Sequence, residues 1–402
     1  MAQDVVEPVS LEEPRDKEKM EGATDDNKPS VWEHDPLAKI PIKVLRHHTG
    51  PISSCQLAFS DQKLITSSHD KTAILWDVES GRPVRVFKEG HTAPLTQCCI
   101  DPHHNRLITA SWDKTLQAWD LETGQTLWSS LHGGLLTSCS VSGDGKLVAS
   151  ASDMENALYL TDTHTGKQIS YTRGHHSSTV TRCCFDPQDR HVATVSSDRS
   201  IKLWDTHTRH TTININSCHM GVVSCVCFTS DGRYVCTGSW DKTLQLWDVA
   251  TGTFRSHGSV THALRHEGCV SACSFSNDAC VLVSGGFDRS VAVWDMKAIC
   301  RLLLLKGHMD WVTDVAITAD KKWVASCSKD CTVRLWNIEQ TEDIPVVIET
   351  RRTQGEGYQI VKCEECARSF SLFRVESDPT TKCVLCRLKS PNKYIPEPPP
   401  CN

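Results

Sequence analysis

A repeated Trp-Asp pair is the feature that most restricts how this chain can fold. The pair, or a close variant of it, ends an apolar segment at Trp76, Trp119, Trp204, Trp247, Trp294 and Trp336. Thr161-Asp162 fits as a degenerate copy, and the seven positions are then 43, 42, 43, 43, 47 and 42 residues apart. A period of this length indicates one supersecondary unit that is repeated seven times, here over residues 40–340.

Each repeat also carries a histidine followed by an acidic residue. The histidines are His48, His91, His132, His175, His219, His266 and His308. The acids follow 22 or 23 residues later, at Asp70, Asp113, Asp198, Asp241, Asp288 and Asp330, with Glu155 in the third repeat. A constellation copied into every repeat is not one active site, whereas buried polar groups that satisfy one another are expected in a core. We therefore predict structural hydrogen bonds and no enzymatic activity.

The local sequence of each repeat predicts short antiparallel strands. Residues 63–67 and 72–76 are rich in β-branched and aromatic side chains, and SSHDKT between them is typical of a tight turn. Glycine recurs five residues after the tryptophan position, where a hairpin requires a positive φ, at Gly81, Gly124, Gly166 and Gly252. Such small sheets bury their faces only against one another, and a ring of them must close to avoid a long unpaired edge.

The His, Asp and Trp positions, with the Gly-His pairs at Gly90, Gly174 and Gly307, resemble those of the WD-repeat family. The resemblance implies an all-β, seven-bladed β-propeller in which the six complete His, Asp and Trp sets form hydrogen-bonded tetrads with strand Ser or Thr residues. It also implies that residues 42–46 close the ring as the outermost strand of the last blade. The third repeat departs from the pattern at Thr161 and Glu155, so we expect it to be the loosest blade. Whether it is a weak sheet or a specialised binding edge stays open.

The same resemblance places two positions of each repeat on one rim of the ring. The residue before each tetrad acid is His69, Trp112, Ser197, Trp240, Phe287 or Lys329. The residue three after the histidine is Pro51, Pro94, Leu135, Val222, Cys269 or Trp311. Aromatic side chains gathered on one rim would anchor a protein interface. We predict that Trp112, Trp240 and Trp311 bind partners, with His69, Phe287 and Lys329 beside them; the alternative is that these rings pack into the loops.

Five of the 21 cysteines occupy one position of the repeat. One position of the first strand holds Cys55, Cys98, Cys139, Cys183 and Cys273, and the same position holds Val226 and Val315. A site that accepts either valine or cysteine is a small buried apolar slot. These cysteines are therefore predicted to be core residues.

Two CxxC pairs lie beyond the repeats, in KCEECARSF and TKCVLCR. The candidate ligands are Cys363, Cys366, Cys383 and Cys386, and sixteen residues separate the pairs. This spacing is typical of a structural zinc site, and so short a segment needs a metal to fold stably. We predict a zinc-ribbon-like module that binds one zinc ion in a closed shell of four thiolates. Such a shell leaves no open position for catalysis.

The remaining segments frame these two domains. Residues 1–39 are predicted to be a disordered acidic tail, 341–357 a linker, 358–390 the zinc module and 391–402 a Pro-rich tail. The first twenty residues lack the apolar core of a secretory signal, so a cytoplasmic or nuclear location is expected. No stretch is apolar enough to suggest a membrane span.

The function that the sequence favours is a protein-interaction scaffold that binds proteins or peptides. One alternative is the substrate receptor of a ubiquitin ligase, although the Arg typical of many such receptors is absent two residues after Trp-Asp. Another is nucleic-acid binding through the zinc module. The tail from residue 351 onward weakens this alternative, because it holds only nine basic residues against six acidic ones.

Overall fold

The fold of the chain is described by a computed structural model, and its secondary structure is almost entirely β-strand. The structure describes residues 40–101, 103–216, 219–250, 259, 264–297 and 299–339, together with two strands at 358–362 and 369–373. Among these residues there is no helix that is long and apolar enough to cross a bilayer.

Seven small antiparallel sheets follow one another along the chain. Blades 1 and 2 contain β2 (Ile52–Ala58), β3 (Lys63–Ser68), β4 (Ala73–Asp77), β5 (Pro83–Phe87), β6 (Leu95–Asp101), β7 (Arg106–Ser111), β8 (Thr115–Asp120) and β9 (Thr126–Leu131). Blades 3 and 4 contain β10 (Leu136–Val141), β11 (Leu147–Ser152), β12 (Leu158–Asp162), β13 (Gln168–Thr172), β14 (Val180–Phe185), β15 (His191–Ser196), β16 (Ser200–Asp205) and β17 (Thr211–Asn216). In each blade the first strand is the innermost and the fourth the outermost.

The other three blades complete the ring. Blade 5 has three strands among the described residues, β18 (Val223–Phe228), β19 (Tyr234–Ser239) and β20 (Leu244–Asp248). Blade 6 contains β21 (Val270–Phe275), β22 (Val281–Gly286), β23 (Ser290–Asp295) and β24 (Cys300–Lys306). Blade 7 contains β25 (Val312–Ile317), β26 (Trp323–Ser328) and β27 (Thr332–Asn337), joined by β1 (Ile42–Arg46) as its fourth strand. The prediction of an all-β, seven-bladed propeller is confirmed.

The hydrophobic core lies between blades. Seven clusters of buried apolar side chains occupy the seven junctions between neighbouring blades. At the junction of blades 7 and 1, Leu45, Trp76 and Val333 belong to one such cluster. No blade could bury these side chains alone, so ring formation and burial of the core occur together.

Ring closure follows the sequence prediction. Strand β1 pairs antiparallel with β27, with Ile42 opposite Trp336 and Arg46 opposite Thr332. Leu45 is 4% exposed and fills the junction of blades 7 and 1 from this strand. The N-terminal strand therefore joins the last blade to the first.

The turn and cysteine predictions are also visible in the fold. Gly81, Gly124 and Gly166 have φ angles of 68°, 77° and 68°, while Gly252 lies outside the described residues. The five cysteines of the shared first-strand position are all buried: Cys55, Cys98, Cys139, Cys183 and Cys273. Burial raises the pKa of the Cys98 thiol to about 12, so it remains protonated at neutral pH.

Beyond residue 339, the structure describes only two short strands. Strand β28 (Tyr358–Lys362) pairs antiparallel with β29 (Ser369–Phe373). The four predicted zinc ligands, Cys363, Cys366, Cys383 and Cys386, lie outside the described residues, as do residues 1–39, 341–357 and 391–402. The zinc module therefore stays a prediction.

The closure strand provides a direct test of the fold. We expect deletion of residues 40–46 to open the ring and lower the melting temperature. Leu45→Ala should destabilise the protein by about 2–5 kcal/mol through lost burial and a residual cavity. Thermal and urea unfolding followed by circular dichroism would measure both effects.

Val44→Ala is the matched control, because Val44 lies beside Leu45 on the same strand but is 37% exposed. We expect it to cost less than about 1 kcal/mol. An unchanged melting temperature after the deletion would contradict the closure.

Candidate partner-binding surface

Five blades contain a complete hydrogen-bonded tetrad. In blade 7, His308 Nδ1 lies 2.8 Å from Asp330 Oδ2, and Nε2 lies 2.8 Å from Ser326 Oγ. Trp336 Nε1 donates to the same hydroxyl at 2.8 Å. The same pattern joins His48, Asp70, Thr66 and Trp76; His91, Asp113, Thr109 and Trp119; His219, Asp241, Thr237 and Trp247; and His266, Asp288, Ser284 and Trp294.

The tetrad carboxylates are held in the charged state. Burial would raise the pKa of Asp330, but hydrogen bonds from His308 and Thr332 outweigh burial and keep that pKa below its usual range. Asp70 has the same balance with His48 and Thr72. Burial lowers the pKa of His308 despite the nearby carboxylate. Each tetrad thus attaches the turn that carries its aspartate to the histidine that precedes the first strand of the blade.

In blade 4 the predicted tetrad histidine, His175, is wrong by one residue. Asp198 Oδ2 lies 3.0 Å from Nδ1 of His176, which is the tetrad histidine in place of the predicted His175. His176 is 22 residues before the acid, as in the five complete tetrads, whereas His175 is 23. Both histidines reach Thr194 Oγ1 at 2.9 Å, and Trp204 Nε1 has no hydrogen-bond partner among the described residues. Burial beside His176 and Lys202 lowers the pKa of His175 to about 3.

Blade 3 has a different polar core. The Glu155 carboxylate, predicted to take the place of the tetrad acid, accepts hydrogen bonds from Tyr159 and Tyr171. His132 Nδ1 instead faces the Ser130 carbonyl at 3.1 Å, and its ring meets the Tyr159 ring edge-on at 4.5 Å. All four strands of the sheet are nevertheless formed. Two tyrosines thus take the place of the histidine as partners of the acid, while His132 Nε2 still lies 3.5 Å from Ser150 Oγ.

Backbone hydrogen bonds join the two predicted kinds of rim position. The residue before each tetrad acid donates its N–H to the carbonyl of the residue three after the tetrad histidine. In blade 2, Trp112 donates to Pro94 at 3.1 Å, and in blade 7, Lys329 donates to Trp311 at 3.0 Å. Blade 4 keeps this bond between Ser197 and Thr179, which again counts from His176. The two sets therefore lie side by side on one face of the ring.

On that face the predicted residues form a continuous row, which we name the aromatic arc. It consists of Trp240, Phe287, Trp311, Lys329, His69 and Trp112 and crosses blades 5, 6, 7, 1 and 2. Trp112, Trp240 and Trp311 are 43%, 49% and 41% exposed, so these rings are not packed away into loops. Phe287 stacks on Trp311 with ring centroids 4.3 Å apart and lies 6.3 Å from Trp240.

Lys329 lies between the two aromatic parts of the arc, with Trp311 on one side and His69 and Trp112 on the other. Its ammonium lies 4.1 Å from the centroid of the Trp311 ring, a cation–π contact. Partial burial and the charge of Lys329 lower the pKa of His69. The His69 ring lies 5.2 Å from Trp112. The arc therefore crosses the point where the ring closes, and it is largely preformed.

Other features of this face were missed by sequence reasoning. Met220 and Met309, each directly after a tetrad histidine, are 81% and 74% exposed. The residue after the tetrad acid has a positive φ and is basic in five blades, at Lys71, Lys114, Arg199, Lys242 and Arg289. Aligning the turns of successive repeats in the sequence would have shown this basic residue directly after the tetrad acid.

This architecture and these tetrads define a class, and the chain belongs to the WD-repeat family of β-propellers. The family's repeat signature, described as WD domain, G-beta repeat, matches residues 39–77, 81–120, 166–205, 210–248, 251–295 and 300–337. The unmatched interval contains most of the degenerate third repeat.

Relatives of known name agree with this assignment. The chain is 50% identical over 362 residues to WD repeat-containing protein 88 of Homo sapiens, covering 89% of this chain and 76% of that protein. Seven repeats followed by YQIVKCEECARSFSLF and a second CxxC pair predict a likeness to this group, and the identity confirms it. A guanine nucleotide-binding protein subunit beta of Dictyostelium discoideum is 44% identical over 52 residues, 12% of this chain and 15% of that protein. A probable E3 ubiquitin ligase complex SCF subunit sconB of Aspergillus terreus is 46% identical over 41 residues, 10% and 6% of the two chains.

The tetrads predict how stability depends on pH. The pKa values of His176, His219 and His308 are lowered by burial, so the unfolded chain binds protons more readily below about pH 6.5. The depressed pKa values of Asp70, Asp113, Asp288 and Asp330 add a second loss as the pH falls below about 4. We expect the melting temperature to fall in these two stages, and to fall less below pH 4 in Asp330→Ala.

At pH 7, Asp330→Ala should also cost about 3–5 kcal/mol, because the buried His308 ring and the N–H groups of Met309 and Thr332 each lose their hydrogen-bond acceptor. Glu267→Gln, at an exposed acid on the same face, is the control and should leave the profile unchanged. A melting temperature that rises on acidification from pH 7 to 5 would contradict the role given to the histidines.

Proposed function

We propose that this chain is a non-enzymatic scaffold that binds partner proteins or peptides through the aromatic arc. The observation that carries the proposal is the exposure of three tryptophans that are held in one row by a rigid ring. Propellers of this family commonly bind other proteins, which supports the same conclusion. Large exposed aromatic side chains on a preformed surface lose little conformational entropy on binding and are typical interface anchors.

The chemistry of the face indicates the kind of partner segment. The aromatic arc and the exposed Met220 and Met309 offer apolar contact area, and methionine adapts to irregular partners. Basic residues at the turns of five blades, with Lys329 within the arc, favour acidic side chains around the apolar anchor. We infer a partner segment in which aromatic or aliphatic residues are flanked by acids.

We also propose that the C-terminal CxxC pairs bind one structural zinc ion through Cys363, Cys366, Cys383 and Cys386. The support is the spacing of the pairs and the difficulty of folding so short a segment without a metal. The proposed location is the cytoplasm or nucleus. The support is that buried cysteine alternates with valine at one strand position of the repeat, as at Cys98 and Cys139, which is a packing role suited to a reducing compartment.

Two alternative functions would give different binding partners. A substrate receptor of a ubiquitin ligase would bring ligase subunits with it; the similarity to the SCF subunit of Aspergillus terreus covers only 10% of this chain. Nucleic-acid binding through the zinc module would be independent of the arc. Retention of a nucleic-acid probe at physiological salt by the full chain would favour that second alternative.

The aromatic arc can be tested by removing its anchors. We expect the Trp112→Ala, Trp240→Ala, Trp311→Ala triple variant to stay folded, because these side chains are exposed, and to lose its partners. Loss of three anchor rings should weaken binding by at least about 100-fold. Affinity purification with mass spectrometry, comparing the full chain, the triple variant and residues 1–350, would measure the loss.

The matched control is a second triple variant of exposed apolar residues on outermost strands, Val84→Ala, Leu127→Ala and Ile169→Ala. It should keep all partners. Partners that survive in the tryptophan variant but vanish in residues 1–350 would place recognition in the tail and overturn the proposal.

The zinc proposal is tested by metal content. The full chain purified under reducing conditions should contain one zinc ion per chain, and a Cys363→Ser, Cys383→Ser double variant should contain none. Cys401→Ser removes a cysteine that lies outside the paired spacing and is the control. A full chain without zinc, measured by elemental mass spectrometry, would contradict the site.

A further inference from the structure

A second group of cysteines lies inside the propeller, at the junction of blades 5 and 6. Cys227 on β18 is directly opposite Cys236 on β19. Cys273 reaches them from β21, the innermost strand of blade 6, and its Sγ lies 3.3 Å from Sγ of Cys227. The three sulfur atoms all lie within 4.8 Å of one another. Three thiols from three strands therefore converge on one point.

The number of converging sulfurs suits a metal ion better than a disulfide. A disulfide would use two of the sulfurs and leave the third unexplained. A metal–sulfur bond of about 2.3 Å requires thiolates about 4 Å apart in a triangle. Opening the Cys227–Cys273 pair by less than about 1 Å would make room for the ion, because the two residues lie on different blades.

The surroundings favour a soft cation. Leu244, Leu282 and Trp294 belong to the same buried cluster, and Cys225 lies there too. Cys227 and Cys273 also line the central cavity of about 440 Å³, which gives an ion a route of entry. Thiolates prefer soft ions, and an apolar pocket with three sulfurs suits a monovalent ion that needs few ligands.

The charge across the central cavity also suits thiolates at this junction. Arg182 of blade 4 and Asp314 of blade 7 are joined across the cavity at 3.0 Å. The guanidinium acts electrostatically on several thiols around the cavity, and these include Cys225 and Cys273 at this junction. The positive end of this ion pair therefore offsets negative charge that metal-bound thiolates would bring to blades 5 and 6.

We propose that Cys227, Cys236 and Cys273 form a trigonal thiolate site for a soft d10 cation, with Cu(I) the best fit. Binding releases to solvent the proton of each thiol that becomes a thiolate, and no oxidant or reductant is consumed. The ion would tie blade 5 to blade 6. None of these three cysteines belongs to the C-terminal CxxC pairs or to the aromatic arc.

The test counts Cu(I) ions bound to the full chain. Anaerobic titration with Cu(I), in competition with a chromogenic Cu(I) chelator, is compared between the wild-type protein and Cys273→Val. Valine occupies the same strand position in blades 5 and 7, as Val226 and Val315, so the variant should fold. We expect Cys273→Val to bind one Cu(I) fewer per chain and to lose the rise in melting temperature that Cu(I) causes in the wild-type protein.

Cys98→Val is the matched control, because Cys98 occupies the same position in blade 2, where its Sγ lies 3.4 Å from Ser54 Oγ. It should bind as many Cu(I) ions as the wild-type protein, and the C-terminal cysteines contribute equally to all variants. Cys227→Ser, at a partly exposed ligand, repeats the test if Cys273→Val is destabilised. Equal Cu(I) stoichiometry in the wild-type protein, Cys273→Val and Cys227→Ser would overturn the proposal.

Discussion

The structure depends on one constraint: each blade can bury its apolar faces only against its two neighbours. Seven clusters at seven junctions leave no blade with a free face, and β1 supplies the strand that completes blade 7. One blade cannot bury its hydrophobic faces alone, so the blades are stable as a ring. The N-terminal strand is therefore as important to the last blade as the strands next to it in sequence.

The tetrads connect this core to the surface. Each aspartate is fixed by a buried histidine, and the residue before it is fixed by a backbone hydrogen bond to the preceding loop. The exposed side chain at that position is thus presented from a rigid turn. Polar groups that stabilise the blades therefore also decide where the side chains of the aromatic arc point.

The third and fourth blades show where a repeat pattern is an insufficient guide. The Gly174-His175 pair favours His175, whereas the 22-residue spacing of the five complete tetrads favours His176, and the contact of His176 with Asp198 decides between them. In blade 3 the acid is present in the sequence, but Tyr159 and Tyr171 bind it instead of the histidine. Packing of the whole blade decides which of several nearby polar groups forms the pair.

The sequence by itself determined the architecture of this protein. The period, the strand patterns and the turn glycines specify seven similar sheets, because these signals are local and repeated. The resemblance to the WD-repeat family assigned the strand that closes them. Only the tertiary structure decided which distant residues meet. Lys329 and His69 become neighbours through ring closure, Arg182 reaches Asp314 across the cavity, and three cysteines of two blades converge. Such contacts depend on the radius and curvature of the closed ring, and no local sequence signal encodes them.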